Sequence, residues 1–283
     1  MDKIWISGAA GHVGSALVKL LDNRKYEFIA TDKEEVDITD IDAVHSFCKI
    51  NRPDIIINCS GLTDLQECES NPDLAYSVNA VGVRNIAQEA QEMGAKLIQI
   101  STDDVFGTTE QNSSLNEFDD IAPRSVYGKS KAAGEKFVRA LMSRYVIIRS
   151  AWVYGTGKDY VSLVLDAVKN GETFKAPTNQ FSSPTSAKEL AKVMMKFIEN
   201  DYYGTYHVVC KGVCSRYEYA KEILHITNNE DKISLEAYED NSEHTQKYSV
   251  LDNMMIRITN IEEPADWKIA LAEYLSETGG THE

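Results

Sequence analysis

Tyr127 and Lys131 stand four positions apart in Ser125-Val126-Tyr127-Gly128-Lys129-Ser130-Lys131, a segment that follows Pro123 and opens a helical pattern. That spacing puts both side chains on one helix face. A tyrosine hydroxyl ionises near a pKa of about 10 in water, and an adjacent ammonium favours the phenolate and lowers it. The pair can therefore give or take a proton near neutrality. Upstream, the apolar run 97–101 leads into Thr102. A hydroxyl at the carboxyl edge of a parallel sheet can hold a carbonyl oxygen while the tyrosine protonates it.

Near the start of the chain, the apolar run 4–7 passes into Gly8-Ala9-Ala10-Gly11-His12-Val13-Gly14 and then a helical pattern carrying Leu17, Val18, Leu20 and Leu21. Glycines there permit a tight turn and close approach of a pyrophosphate, while the helix N-terminus offers free N–H groups to the anion. Asp32 follows 18 residues after Gly14, at the end of the next apolar run, where a carboxylate can accept hydrogen bonds from the adenosine ribose. That favours NAD. Lys33 beside it can pair with a 2′-phosphate, which leaves NADP open.

These residues need a frame. Strands are expected at 4–7, 28–31, 54–59, 97–101 and 145–150, with helices at 12–22, 41–50, 72–93 and 125–142. Ile55-Ile56-Ile57 and Val146-Ile147-Ile148 are continuously apolar, so these strands are expected to be covered on both faces. Right-handed crossovers then give an α/β fold with a doubly wound parallel sheet, of Rossmann type. After about residue 150 the rhythm loosens, with helices expected at 160–170, 186–200, 215–226 and 264–275 and a strand near 205–209. The reading is a dinucleotide-binding domain over 1–153 and a smaller substrate lobe over 154–283, part of 180–210 returning to the main sheet. Residues 230–244 read as exposed polar loop and 277–283 as a frayed tail.

The formal net charge of −15 argues against nucleic acid and anionic membrane surfaces as partners. No apolar run has the length of a membrane span and no signal-peptide layout precedes the first strand, so a cytoplasmic protein is expected. Cys48, Cys59, Cys68, Cys210 and Cys214 are scattered and read as reduced, mostly buried thiols. Cys210 and Cys214 have no companion Cys/His pair at ligand spacing, so no metal site is expected.

With Gly8, Gly11 and Gly14 in a Gly-x-x-Gly-x-x-Gly loop and Tyr127/Lys131 as a Tyr-x-x-x-Lys pair, the chain resembles the extended short-chain dehydrogenases/reductases. Segments 36–40, 58–63, 76–85, 101–106, 126–135, 151–155, 179–185 and 248–253, and Trp267 with Ala270-Leu271 and Tyr274-Leu275, resemble motifs of the dTDP-4-dehydrorhamnose reductases. The resemblance implies reduction, with NADP or NAD, of the 4-keto group of a nucleotide-linked deoxysugar. It implies catalytic roles for Thr102, Tyr127 and Lys131, with the last two also touching the cofactor. Asp37 and Ile38 would border the adenine, Ser60, Gly61 and Thr63 would line the nicotinamide side, and Asn79 would belong to the cofactor site. Asp103, Asp104 and Trp152 would face the sugar. Some relatives dimerise through magnesium held by glutamates, one of them two residues after the third glycine. Ala16 stands in that place, which implies a monomer or a homodimer without bridging magnesium.

Several positions depart from the family pattern. Asp104 replaces a tyrosine, Leu65-Gln66 a Val-Asp pair, Thr245-Gln246 an Arg-Pro pair, and Asn179-Gln180-Phe181-Ser182 an Asp-Gln-x-Gly motif. A carboxylate gained and an arginine lost imply weaker binding of a dTDP-linked substrate. Asp103-Asp104 also resembles the Thr-Asp-Glu acids of nucleotide-sugar 4,6-dehydratases. The altered sugar side further allows a nucleotide-binding regulatory subunit similar to methionine adenosyltransferase β.

Overall fold

The apolar runs become strands because neither of their faces is left to water. In the computed structural model, residues 2–107, 113–242 and 245–278 are described. Strands β1 (Lys3–Ser7), β2 (Glu27–Thr31), β3 (Ile55–Asn58), β4 (Lys96–Thr102), β5 (Tyr145–Ser150) and β10 (Gly204–His207) form one parallel sheet in the order β10-β5-β4-β3-β1-β2. Successive side chains of a strand point to opposite faces. Thus Ile4, Ile6, Ile55, Ile57, Val146 and Ile148 enter one core, while Trp5, Ile56, Leu97 and Ile147 enter the other.

Helices α1 (His12–Leu20) and α8 (Ala187–Glu199) supply Leu17, Met194 and Phe197 to the first core. Helices α2 (Ile41–Asn51), α5 (Val83–Met93) and α6 (Val126–Leu141) supply Val44, Ile86 and Val138 to the second. Each core side chain of this size removed from water contributes about 1.5–3 kcal/mol, which fixes the sheet firmly enough to aim its carboxyl edge. Residues 187–199 and 204–207, although late in the sequence, thus pack with the first half of the chain. This is the doubly wound α/β architecture.

The remaining elements gather beyond that edge. Helices α7 (Tyr160–Asn170), α9 (Arg216–Ile226) and α11 (Trp267–Glu277) enclose a third core around Tyr154, Tyr219, Trp267 and Leu271. Strand pairs β6 (Val153–Tyr154) with β9 (Thr185–Ser186), β7 (Phe174–Pro177) with β12 (Leu235–Tyr238), and β8 (Phe181–Ser182) with β11 (Cys214–Ser215) stitch the loops together. Short helices α3 (Leu65–Ser70), α4 (Pro72–Tyr76) and α10 (Met254–Ile258) and a 3₁₀ turn at Asp103–Val105 are also present.

The sequence reading did not place α3, α10 or the short strands β7, β8 and β9, and two segments that it did assign differ in the structure. Residues 235–238 are a strand rather than exposed loop, because Leu235 to Tyr238 pair in register with Phe174 to Pro177. Their side chains stay largely in solvent, so no apolar periodicity announces the pairing. The helix expected over 72–93 contains a π segment at Ser77–Gly82, which widens the turns between α4 and α5. Residues 243–244 of the expected loop and 279–283 of the expected tail lie outside the described residues; Glu277 ends α11. No helix among the described residues is long and apolar enough to cross a membrane.

Candidate active site

The glycine loop is shaped by backbone crowding at two positions. Gly8 has φ +73°, and a Cβ there would meet Ser60 N at 2.6 Å. A Cβ on Gly14 would meet Gly8 O at 2.3 Å, so this glycine serves the packing of α1 on the loop. Gly11 is the N-cap of α1 and no side chain caps the helix, leaving its first N–H groups open to an anion.

Gly11, His12 and Val13 line a cavity of about 620 Å³ that also takes in Ser60, Gly61 and Thr63. A second cavity of about 250 Å³ shares Gly11, Ser60 and Gly61 and runs to Asp32, Asp37 and Ile38. The Asp32 carboxylate accepts from Ala10 N at 2.9 Å, which ties the loop to the end of β2. Asp37 accepts from the Thr39 hydroxyl at 2.7 Å, and that bond holds its carboxyl below the usual range despite partial burial. A furrow with open amides at its middle, no side chain at Gly11 and a carboxylate at one end fits a dinucleotide.

Asn79 sits behind this furrow and lines neither cavity. Carried on the π segment, its side chain accepts from Leu62 N at 2.9 Å and donates to Leu62 O and Ser130 Oγ. Those bonds leave it pinning the 61–62 backbone rather than facing a ligand.

At the carboxyl edge of β4, Thr102 Oγ1 donates to Asp103 Oδ1 at 3.1 Å and accepts from Asp104 N at 3.2 Å. Ser125 caps α6 by accepting from Gly128 N at 2.9 Å, so Tyr127 and Lys131 emerge on the first turns of that helix. Thr102, Asp103, Tyr127 and Lys131 all line the larger cavity, opposite the glycine loop. Burial pushes the Tyr127 hydroxyl well above its ordinary range, the Asp104 carboxylate adds to this, and hydrogen bonding with the Thr102 hydroxyl opposes it. The Lys131 ammonium does not reverse that balance. Its Nζ donates to Ile100 O at 2.7 Å, and burial lowers it to about 8 against the pull of Glu135. Without an ionised neighbour strong enough to draw off its proton, Tyr127 is poised as a donor.

Of the three residues expected on the sugar side, Asp103 and Trp152 line the larger cavity and Asp104 does not. Asp104 instead acts on Tyr127 through its charge. Its own carboxyl is pushed up to about 7 by burial and then by Asp103. Below the ordinary value of 3.8 it is protonated in folded and unfolded chains alike; between there and about 7 the unfolded chain ionises first and stability falls. Asp104→Asn should therefore raise the melting temperature at pH 8 and leave it unchanged near pH 3. A gain equal at both pH values would contradict this. Leu65 is half exposed, and Thr245 is held by hydrogen bonding to Asp240.

Trp152 adopts φ +44°, a left-handed conformation that costs a non-glycine residue of order 1–3 kcal/mol. Its indole stacks on Tyr219 with centroids 6.4 Å apart and an interplanar angle of 20°. Behind the strand edge, Glu135 accepts from Ser101 Oγ at 2.6 Å and forms a two-pronged pair with Arg149 at 2.9 and 2.8 Å, with Arg139 at 2.8 Å as well. Burial alone would push the Glu135 carboxyl up, but these guanidinium groups hold it below its usual range.

Arg216 is one of the cavity residues that sequence reasoning missed, with Asp64, Asp159 and Tyr160. It begins α9, whose capping box of Ser215 and Glu218 was readable as a helix start. Nothing local signals that the first side chain of that helix returns to a site built around residues 102–131.

The RmlD substrate binding domain family matches residues 2–279. The chain is 35% identical over 281 residues to the spore coat polysaccharide biosynthesis protein SpsK of Bacillus subtilis, covering 98% of each. It is similar to a crystal structure of a dTDP-4-dehydrorhamnose reductase from Clostridium acetobutylicum, with TM-score 0.94, 38% identity, and coverage of 98% of this chain and 99% of that one. A dTDP-4-dehydrorhamnose reductase from Bacillus anthracis in complex with NADP matches with TM-score 0.94 and 35% identity over 98% of this chain and 100% of that one. On a match that runs nearly end to end, the chain belongs to the RmlD substrate binding domain family, the family of the dTDP-4-dehydrorhamnose reductases.

Proposed function

We propose that this protein uses NAD(P)H to reduce the 4-keto group of a nucleotide-linked deoxysugar of the dTDP-4-dehydrorhamnose class. The observation that carries the reading is the convergence of Thr102 and Tyr127, two interacting hydroxyls, on a cavity whose opposite wall is the uncapped glycine loop. Residues 1–153 hold the dinucleotide and residues 154–283 close over the sugar, apart from the portion that returns to the sheet. Gly8 and Gly14 shape the loop, and Gly11, His12 and Val13 meet the pyrophosphate. Asp32, Asp37 and Ile38 take the adenosine end, and Ser60, Gly61 and Thr63 take the nicotinamide end. The bound cofactor supplies the hydride that reaches the ketone carbon.

Thr102 holds the carbonyl oxygen, and Tyr127 delivers the proton that turns it into a hydroxyl. Hydrogen bonds arranged beforehand around a developing oxyanion are worth a large part of such a barrier. Lys131 holds the nicotinamide ribose and keeps positive charge beside the phenol as it gives up its proton. Asp103 and Trp152 border the sugar. Asp104, the second acid on which a dehydratase would depend, stands outside the cavity lining. We further propose a cytoplasmic enzyme, monomeric or dimeric without bridging magnesium, since Ala16 offers no oxygen ligand. Oxidation of NADPH or NADH should accompany addition of dTDP-4-dehydro-6-deoxy-L-mannose. Absence of turnover with that sugar and with other keto-sugar nucleotides would overturn the reading.

A further inference from the structure

A guanidinium with no partner faces the substrate side of the cavity. Arg216 lies over two aromatic rings, its guanidinium carbon 3.7 Å from the Trp152 centroid and 4.6 Å from that of Tyr160. Cation–π contact on two rings fixes the plane of the group and leaves its N–H edge to find an acceptor. Among the described residues it finds none: the guanidinium has no hydrogen-bond acceptor and no ion-pair partner. The Asp103 and Asp104 carboxyls feel its charge without reaching it. Five donors, half-buried and unmet, call for an anion with several oxygens.

The charge around the cavity says which anion. Asp64, Asp103 and Asp159 line the wall in a chain of net charge −15, so a diphosphate entering would meet repulsion. The other basic residues that line it are spoken for or remote from the acceptor side. Lys131 bonds to Ile100 O beside Tyr127, and Lys158 lies exposed on the loop that faces His12 and Asp159. The family position that would carry an arginine is Thr245, already bonded to Asp240.

We propose that Arg216 is the specificity residue of this site: braced by Trp152 and Tyr160, it receives the diphosphate of the nucleotide-linked substrate. The inference rests on the reading that the substrate is a nucleotide sugar. It runs against the expectation of weak binding, because the cation absent at residue 245 would be supplied from the start of α9.

The test is calorimetric titration of the NADPH-loaded protein with dTDP and with thymidine, in the parent, Arg216→Gln and Arg216→Lys. The parent should bind dTDP more tightly than thymidine. Arg216→Gln should weaken dTDP by about 10- to 100-fold, the range for losing charge-assisted hydrogen bonds, with thymidine and NADPH affinities unchanged. Arg216→Lys should retain part of the preference, and its loss with added salt should be steeper than that of the glutamine variant. Equal weakening of dTDP and thymidine would show a structural role and overturn the proposal, as would unchanged dTDP binding or a parent that does not prefer dTDP. If Arg216→Gln does not fold, the lysine variant alone decides: dTDP binding equal to the parent, at all salt concentrations, overturns the planar clamp. Should the diphosphate preference depend on Arg216 while no keto-sugar nucleotide is turned over, the reductase reading fails and the diphosphate site stands.

Discussion

Tyr127→Phe should lower turnover by about 10²–10⁴, the usual worth of a positioned general acid, while NADPH affinity stays within about twofold of the parent. The change removes one oxygen and keeps the ring that fills the cavity wall beside Thr102 and Lys131. Burial and the Asp104 charge keep the hydroxyl protonated through neutrality, so its function before the reaction is that of a donor. With it gone, the oxygen held by Thr102 must take its proton from a donor that the site does not position. Single-turnover rates with saturating cofactor, together with cofactor titration by fluorescence, would check both halves. A rate unchanged from the parent would remove Tyr127 from the chemistry; a parallel loss of NADPH binding would make it a structural residue.

The largest effect on stability is expected at Glu135. This carboxylate is buried, neutralises buried Arg149 through two short bonds, and accepts from Ser101 one residue before Thr102. Replacing it by alanine strands the guanidinium of Arg149, 2% exposed, with no counter-charge. Breaking one half of a buried pair costs about 3–5 kcal/mol, whereas replacing both halves by apolar groups is often close to neutral. For a chain of this size the loss corresponds to a melting temperature lowered by roughly 6–20 °C, taking about 2–4 °C per kcal/mol. Glu135→Ala should show that fall, and Glu135→Leu with Arg149→Met should recover much of it. A double variant no more stable than Glu135→Ala would mean that the cost is the cavity, not the orphaned charge. Thermal unfolding followed by circular dichroism distinguishes the two.

The parallel sheet was legible because β3 and β5 carry the unbroken apolar runs Ile55-Ile56-Ile57 and Val146-Ile147-Ile148, a pattern that two-sided burial explains. Tyr127 and Lys131 were legible because helical spacing is local, and one turn of α6 suffices to juxtapose them. The direction of the tyrosine's acidity was not. The sequence shows an ammonium four residues away, but not that its Nζ is engaged by Ile100 O or that burial of the phenol outweighs it. Asn79 carried the resemblance of its segment and yet spends its amide on Leu62 and Ser130, partners that no local pattern announces. Strand β12 and the placement of Arg216 depend on partners more than 50 residues away, and neither leaves a periodic mark of its own. The part built from contiguous βα units is therefore written locally in the chain, whereas the elements gathered beyond the sheet edge are written in contacts between distant loops.

The strand order has a temporal side as well. On its outer side β5 pairs with β10 alone, so until residues 204–207 have been made the backbone of Tyr145–Ser150 presents a row of unpaired N–H and C=O groups flanked by apolar side chains. The 57 residues from 151 to 207 take roughly 3–11 s to synthesise at 5–20 residues per second. For that interval the nascent chain carries a bare sheet edge of the kind that recruits other strands. The crossover that brings β10 home thus sets a window for misassembly on the ribosome, and a holding chaperone would have its clearest target at the strand beneath the active site.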